Sequence, residues 1–154
     1  MTKVAVALGS NLGDRERTLR DAIGALAPVL GHIRISTFHD TEPVGVDPQP
    51  RFLNGAITGE TALGAGALLA ALLEIERRCG RERPCDGAPR TLDLDLILYG
   101  DAVVNEPGLL VPHPRFRERA FVLEPLAEIA PEWVDPVTGL TVAELAQNQR
   151  SSRT

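Results

Sequence analysis

The sequence predicts an α+β protein whose strands and helices follow the order β-α-β-β-α-β, the order of the ferredoxin-like split βαβ unit. Three observations carry this expectation. Four apolar runs of strand length alternate with two segments whose leucines and isoleucines recur at helical spacing. Glycines and prolines fall between those runs, where turns are needed. The chain has 154 residues, 44% apolar and 24% charged, and at that size roughly 68–70% of the unfolded surface can be buried in one core. Residues 1–154 are therefore expected to form a single domain.

Residues 4–8, Val-Ala-Val-Ala-Leu, form a first strand that closes at Gly9. A helix follows from about Asp14 to Ala27, with Leu19, Ile23 and Leu26 on one face. Ile33, Ile35 and Thr37 alternate with polar residues through Phe38, which predicts a second strand with one buried face. Residues 41–51 contain Pro43, Gly45, Pro48 and Pro50, and a loop of that length is more often functional than incidental. Residues 52–60 read as a third strand. Leu68, Leu69, Leu72, Leu73 and Ile75 carry a second helix that stops near Gly80. The Arg, Pro, Gly and Asp content of residues 81–90 predicts a loop leading into a fourth strand at 92–99. Gly100 and Asp101 turn the chain into a short hairpin element near Val103 and Val104. Short helices are expected after Pro112, one of them opened by the capping-box spacing of Thr141 and Glu144.

Composition narrows the function classes. A net charge of −5 opposes general nucleic-acid binding, which depends on Lys and Arg neutralising phosphates. The amino-terminal apolar run is too short for a signal-peptide core, and residues 62–73 fall short of the ~20 apolar residues a membrane span needs. The expected setting is the cytoplasm, with Cys79 and Cys85 as reduced thiols: no second Cys pair or nearby His completes a zinc site. No dimer signature is visible, so a monomer is the default expectation.

The charge is nevertheless uneven. Eight of the fifteen arginines fall in two blocks, at 77, 78, 81, 83 and 90 and at 115, 117 and 119, a clustering that suits bidentate capture of phosphate. Between the blocks lies Arg90-Thr-Leu-Asp-Leu-Asp-Leu-Ile-Leu98. On a strand, Leu92, Leu94 and Leu96 face one way while Asp93 and Asp95 face the other, about 7 Å apart. Two carboxylates beside arginines suit Mg²⁺, which takes one or two carboxylates plus phosphate oxygens and water; the same spacing also fits an ordinary solvated strand face. The two common glycine-rich phosphate cradles are absent by pattern. His32 and His39 read as surface or loop histidines, whereas His113 stands in the proline-flanked Val111-Pro-His-Pro-Arg115. Phe52 and Phe121 could sandwich a planar heterocycle or simply fill the core. Asn54, on the same strand face as Phe52, could hydrogen-bond a heterocycle edge.

Taken together, these motifs resemble the 6-hydroxymethyl-7,8-dihydropterin pyrophosphokinase family over nearly the whole chain. The matching pieces are Ala7-Leu-Gly-Ser-Asn-Leu-Gly13, Thr41 on to Phe52-Leu-Asn54, Pro89-Arg-Thr-Leu-Asp-Leu-Asp95, and Val111-Pro-His-Pro-Arg115 followed by Arg119-Ala-Phe-Val-Leu123. The resemblance implies diphosphate transfer from ATP to the pterin hydroxymethyl group with release of AMP, in folate biosynthesis, using two Mg²⁺ ions. It implies that Asp93 and Asp95 are metal ligands, and that Arg81, Arg83 and Arg90 join them in catalysis. Glu76, Arg81, Arg83, Arg90, His113 and Arg119 become ATP-binding positions, and Thr41, Val44, Phe52, Asn54 and Phe121 the pterin pocket. The loops after the second strand and second helix correspond to the family's moving lids. Gly87 and Ala88 stand where a lid tryptophan would fall, Leu73 where a glutamine is expected, and Pro114 where an aromatic is expected. Two rival readings remain. A related phosphotransferase acting on another alcohol would keep Asp93 and Asp95 without needing the pterin set, and a ligand-binding module of the same fold would need no metal carboxylates.

Overall fold

A computed structural model describes residues 1–11, 13–41, 51–81 and 92–152. At its centre is β1 (Thr2–Ser10), paired antiparallel with β4 (Phe52–Thr61) on one side and with β5 (Asp93–Tyr99) on the other. β2 (Gly31–Ile35) and β3 (His39–Thr41) both pair antiparallel with β4, giving a sheet in the order β2-β4-β1-β5 with β3 also beside β4. Helix α1 (Arg15–Leu26) links β1 to β2. Helix α2 (Ala65–Glu76), prolonged by a π-helical turn at Arg77–Arg81, leaves β4 on the way to β5.

The alternation of Val4, Ala5, Val6, Ala7 and Leu8 places large residues on one face of β1 and small ones on the other. The large face joins Leu94 and Leu96 of β5 against Leu19, Ala22 and Leu26 of α1 and Leu68, Leu72 and Ile75 of α2. On the other face, Ala5, Ala7 and Ala56 meet Val122, Leu123 and Leu126 of α3 (Ala120–Ile129) and Val142, Leu145 and Ala146 of α4 (Val142–Ser151). Strands covered on both faces account for the near-continuous apolar run of β1. No helix of the described residues is long and apolar enough to cross a membrane.

Local chemistry sets the element ends. Asp14 caps α1 by accepting from the Arg17 amide at 3.2 Å. Thr141 and Glu144 form the expected capping box at the start of α4, with hydrogen bonds of 3.1 and 2.9 Å. The expected hairpin is β6 (Val104–Glu106) with β7 (Leu109–Val111), turned through Gly108 at φ +79°. The C-terminal helical pieces are a 3₁₀ turn at Phe116–Glu118 followed by α3 and α4. Cys79 packs into the core under α1 and α2, while Cys85 lies outside the described residues.

The expected second strand differs from the observed one. The strand ends at Ile35, and β3 begins at His39, beyond the expected end at Phe38 and one residue out of register on β4: Ile35 pairs with Ile57 but His39 with Asn54. A separate bulge between Gly31 and Arg34, with His32 at φ +49°, lies inside β2. Ile35, expected on a buried face, is 46% exposed on the edge strand; the buried residue is Ser36, whose Oγ accepts from the Ala56 amide at 2.8 Å.

Candidate active site

The carboxylate strand behaves as its alternation requires. Leu92, Leu94 and Leu96 are buried in the α1/α2 core, while Asp93 is exposed and Asp95 half-buried on the opposite face. A bulge between the Val6–Leu96 and Ala5–Leu98 pairs then turns both Ile97 and Leu98 toward α3 and α4, and Tyr99 back to the first core. Asp95 stands opposite Ala7 and Asp93 opposite Gly9. Gly9 also pairs with Asn54, and Asn54 with His39, so Asp93, Gly9, Asn54 and His39 form one row across four strands. At about 4.8 Å per strand, the backbones of Asp93 and Asn54 are roughly 10 Å apart.

Gly9 is the low point of that row. A Cβ placed on it would lie 2.8 Å from Asn54 Oδ1 and 3.7 Å from Phe52 Cδ1, so the Asn54 amide and Phe52 ring occupy the space its missing side chain leaves. Asn54 is 5% exposed, and its Nδ2 donates to Thr41 Oγ1 at 2.6 Å. That bond fixes the amide orientation, with Oδ1 over Gly9. Phe121, in the first turn of α3, packs half-buried against the α3/α4 core, and the Arg119 guanidinium lies 5.6 Å from its ring centre.

The outer edge of β5 is covered at two points. Glu76, the last residue of α2, accepts from the Leu94 amide at 2.6 Å, and the His113 amide donates to the Ile97 carbonyl at 3.0 Å. His113 thereby stands alongside the Asp95 face. Burial lowers the imidazole's pKa below its usual value; Asp95 acts in the opposite sense, and Arg119 and Arg115 add to the lowering. Its Nδ1 accepts from the Arg115 amide at 3.2 Å, so the neutral ring carries its proton on Nε2, a donor suited to an anionic oxygen.

The family model for 7,8-dihydro-6-hydroxymethylpterin-pyrophosphokinase (HPPK) matches residues 5–131. This chain belongs to the HPPK family. It is 45% identical over 144 residues to the 2-amino-4-hydroxy-6-hydroxymethyldihydropteridine pyrophosphokinase of Synechocystis, a match covering 92% of this chain and 73% of that one. The enzyme of the same name from Methylorubrum extorquens is 43% identical over 147 residues, covering 94% and 91%. Among solved structures, wild-type Plasmodium falciparum HPPK-DHPS matches with a TM-score of 0.76 at 15% identity, over 99% of this chain and 45% of that chain. At that identity the likeness concerns the fold, and this chain spans under half of the HPPK-DHPS polypeptide.

Within this HPPK-family chain, Asp93, Asp95, Thr41, Phe52 and Asn54 all lie on the sheet that carries Gly9, while His113 and Glu76 flank the edge of β5 and Arg119 and Phe121 open α3. Val44, Arg83 and Arg90 lie outside the described residues, as does the side chain of Arg81. The second arginine block divides. Arg117 turns away to a buried pair with Asp135, through Nε to Oδ2 at 2.5 Å and Nη2 to Oδ1 at 2.8 Å. Burial alone would raise the Asp135 pKa, but Arg117, Thr138 and the Val137 amide outweigh it and hold the carboxyl at about 2.

Two clusters escaped the sequence reading. His39, expected to be a bystander, meets Glu128 of α3 through Nε2, and Glu128 also accepts from the Thr37 amide at 2.8 Å. Burial works against ionisation of Glu128, yet the Thr37 amide, His39 and the Thr37 hydroxyl together lower its pKa. Asp40, Arg15 and Arg51 tie the end of β3 to the start of β4: Arg15 Nη2 reaches Asp40 Oδ2 at 3.0 Å and Arg51 Nε reaches Oδ1 at 2.9 Å. Hydrogen bonds from Arg15 and then Arg51 hold the Asp40 carboxyl at about 2. Contacts spanning up to 91 positions leave no periodic or spacing signal in a sequence.

Proposed function

We propose that the face of the sheet carrying Asp93, Gly9 and Asn54 is where this HPPK-family enzyme transfers diphosphate from ATP to 6-hydroxymethyl-7,8-dihydropterin in folate biosynthesis. The observation that carries this reading is the single row in which Asp93 and Asn54 flank Gly9. It offers a hard-oxygen site and a directional amide site about two strand spacings, roughly 10 Å, apart.

Asp93 and Asp95 fit Mg²⁺: both are carboxylates on one face of β5, hard oxygen donors that leave positions for phosphate oxygens and water. Two bound Mg²⁺ ions would neutralise phosphate charge and hold the attacking and leaving oxygens in line. The chain's own residues supply the rest. Asn54, oriented by Thr41, reads the edge of the pterin, and Phe52 and Phe121 offer ring faces, with Val44 completing the loop wall. The pterin hydroxyl oxygen forms a bond to the β-phosphorus as the bond from that phosphorus to the bridging oxygen breaks. AMP departs with that oxygen, and the hydroxyl proton passes to solvent. The neutral His113 donates from Nε2 to a phosphate oxygen, and Arg119 adds positive charge beside it. Arg81, Arg83 and Arg90 complete the phosphate grip and act in catalysis, and Glu76 holds the β5 edge next to the nucleotide.

The strand order and antiparallel pairing support a ferredoxin-like core, and a sheet shared by both hydrophobic layers supports one pyrophosphokinase domain. The working form is a cytoplasmic monomer. Two substitutions separate the halves of the site. Asn54→Ala should weaken pterin binding roughly 5- to 150-fold, the cost of one lost buried hydrogen-bond partner, with ATP binding nearly unchanged. Asp95→Ala should abolish Mg²⁺-dependent turnover with the fold intact. Equal loss of both ligands in Asn54→Ala would make Asn54 a structural residue and remove the reading.

A further inference from the structure

We infer that Glu128 is a positioning residue for the pterin side of the site, holding the β3 wall at a fixed distance from the α3 wall through Thr37 and His39. This rests on the proposed pterin pocket and extends it to a residue whose described hydrogen bonds end on Thr37 and His39.

The pocket has two walls with separate supports. One is the β3 and β4 side, where Thr41 accepts from Asn54. The other is the first turn of α3, which carries Phe121 under Arg119. β3 is three residues long and, among the described residues, pairs with β4 alone, too short to fix its own angle against a helix on the face of the sheet. Each hydrogen bond described between α3 and residues 37–41 ends on Glu128, in the last turn of α3. The Thr37 amide donates to Oε1 at 2.8 Å, the Thr37 hydroxyl lies 2.9 and 2.8 Å from the two carboxylate oxygens, and His39 Nε2 meets Oε2.

The segment is also anchored from below. Ser36 Oγ accepts from the Ala56 amide at 2.8 Å, and the Phe38 ring lies 2.9 Å from where a Gly55 Cβ would stand. Glu128 therefore pulls on a linker already tied to β4, and its pull passes to His39 in the same row as Asn54, then to Thr41 two residues on. Hydrogen bonds to an ionised carboxylate are shorter and stronger than neutral ones, which suits a spacing device near the surface.

The test uses the full chain, with pterin binding measured by calorimetry in the presence of a non-hydrolysable ATP analogue. Glu128→Ala should weaken pterin binding on the order of 10-fold while affinity for the analogue stays within about 2-fold. Glu128→Gln restores an acceptor for the Thr37 amide and should recover most of that loss. Thr141→Ala, which weakens the α4 cap and removes a bond to Glu144 rather than to any pocket residue, should lower the melting temperature without moving pterin affinity. If Glu128→Ala does not fold, Thr37→Val removes the hydroxyl alone and should still weaken pterin roughly 3-fold. Unchanged pterin affinity in the folded variant, equal loss of both ligands, or the same loss in Thr141→Ala would each overturn the assignment. Asn54→Ala measured alongside separates the two levels. If it weakens pterin and Glu128→Ala does not, only the positioning role fails; if neither does, the pocket fails with it.

Discussion

Replacing Gly9 with alanine tests the row across the sheet with a single methyl group. The new Cβ would lie 2.8 Å from Asn54 Oδ1, closer than such atoms approach, so the amide has to move by about half an ångström to reach ordinary carbon–oxygen contact. Asn54 has little room: it is 5% exposed, and its Nδ2 is held by Thr41 Oγ1 at 2.6 Å. The Phe52 ring edge at 3.7 Å is in ordinary contact and can stay. Overpacking of this kind costs ~1–3 kcal/mol in stability. If Asn54 reads the pterin as proposed, displacing the amide should cost a further ~1–3 kcal/mol of binding, roughly 5- to 150-fold in pterin affinity. ATP binding, proposed to lie at the other end of the row, should stay within about 2-fold. Calorimetry with each ligand and a urea melt would resolve the two effects. Pterin affinity within 2-fold of the unsubstituted protein would show that Asn54 does not read the pterin from this position.

Other substitutions probe separate parts. Asp93→Ala should remove Mg²⁺-dependent turnover while the melting temperature holds, because Leu92, Leu94 and Leu96 carry the packing of the strand; turnover near the unsubstituted level at ordinary Mg²⁺ would contradict the metal assignment. Asp135→Ala leaves Arg117 without its buried partner and should cost ~3–5 kcal/mol by urea unfolding with no change in KM for either substrate. The same pair sets an acid limb. The folded carboxyl titrates at about 2, below the unfolded value, so between the two values the unfolded state binds more protons. Its stabilisation, about 2.5 kcal/mol at roughly 1.4 kcal/mol per pH unit, is complete above the unfolded value near ~4 and is lost as pH falls through about 2. In Asp135→Ala that part of the acid unfolding curve should flatten. Thr141→Ala should cost about 1 kcal/mol by removing one half of the α4 capping box.

Much of the fold is legible because its determinants are local. The leucine–aspartate alternation of β5, the Asp14 cap and the Thr141 capping box each operate within a few residues, and each appears where the pattern requires it. The bulge at Ile97 and Leu98 is invisible in sequence because both residues are equally apolar and only their pairing with β1 sets the faces. β3 is missed because the register change before His39 depends on β4, not on the Ile-Arg-Ile-Ser-Thr run itself. In the site, short-range features are readable: Asp93 with Asp95, and Phe52 with Asn54. The roles of Arg117 and Glu128 are not, since Asp135 and Thr37 come to them through folding. An arginine in a basic cluster looks the same in sequence whether it faces phosphate or a buried carboxylate.

The products of the reaction distinguish diphosphate transfer from simple phosphorylation. The chain, incubated with ATP, Mg²⁺ and 6-hydroxymethyl-7,8-dihydropterin, should yield equal amounts of AMP and pterin diphosphate, and neither should form when Mg²⁺ is chelated. ADP with a pterin monophosphate, or no pterin-dependent consumption of ATP, would rule out pyrophosphoryl transfer by this chain.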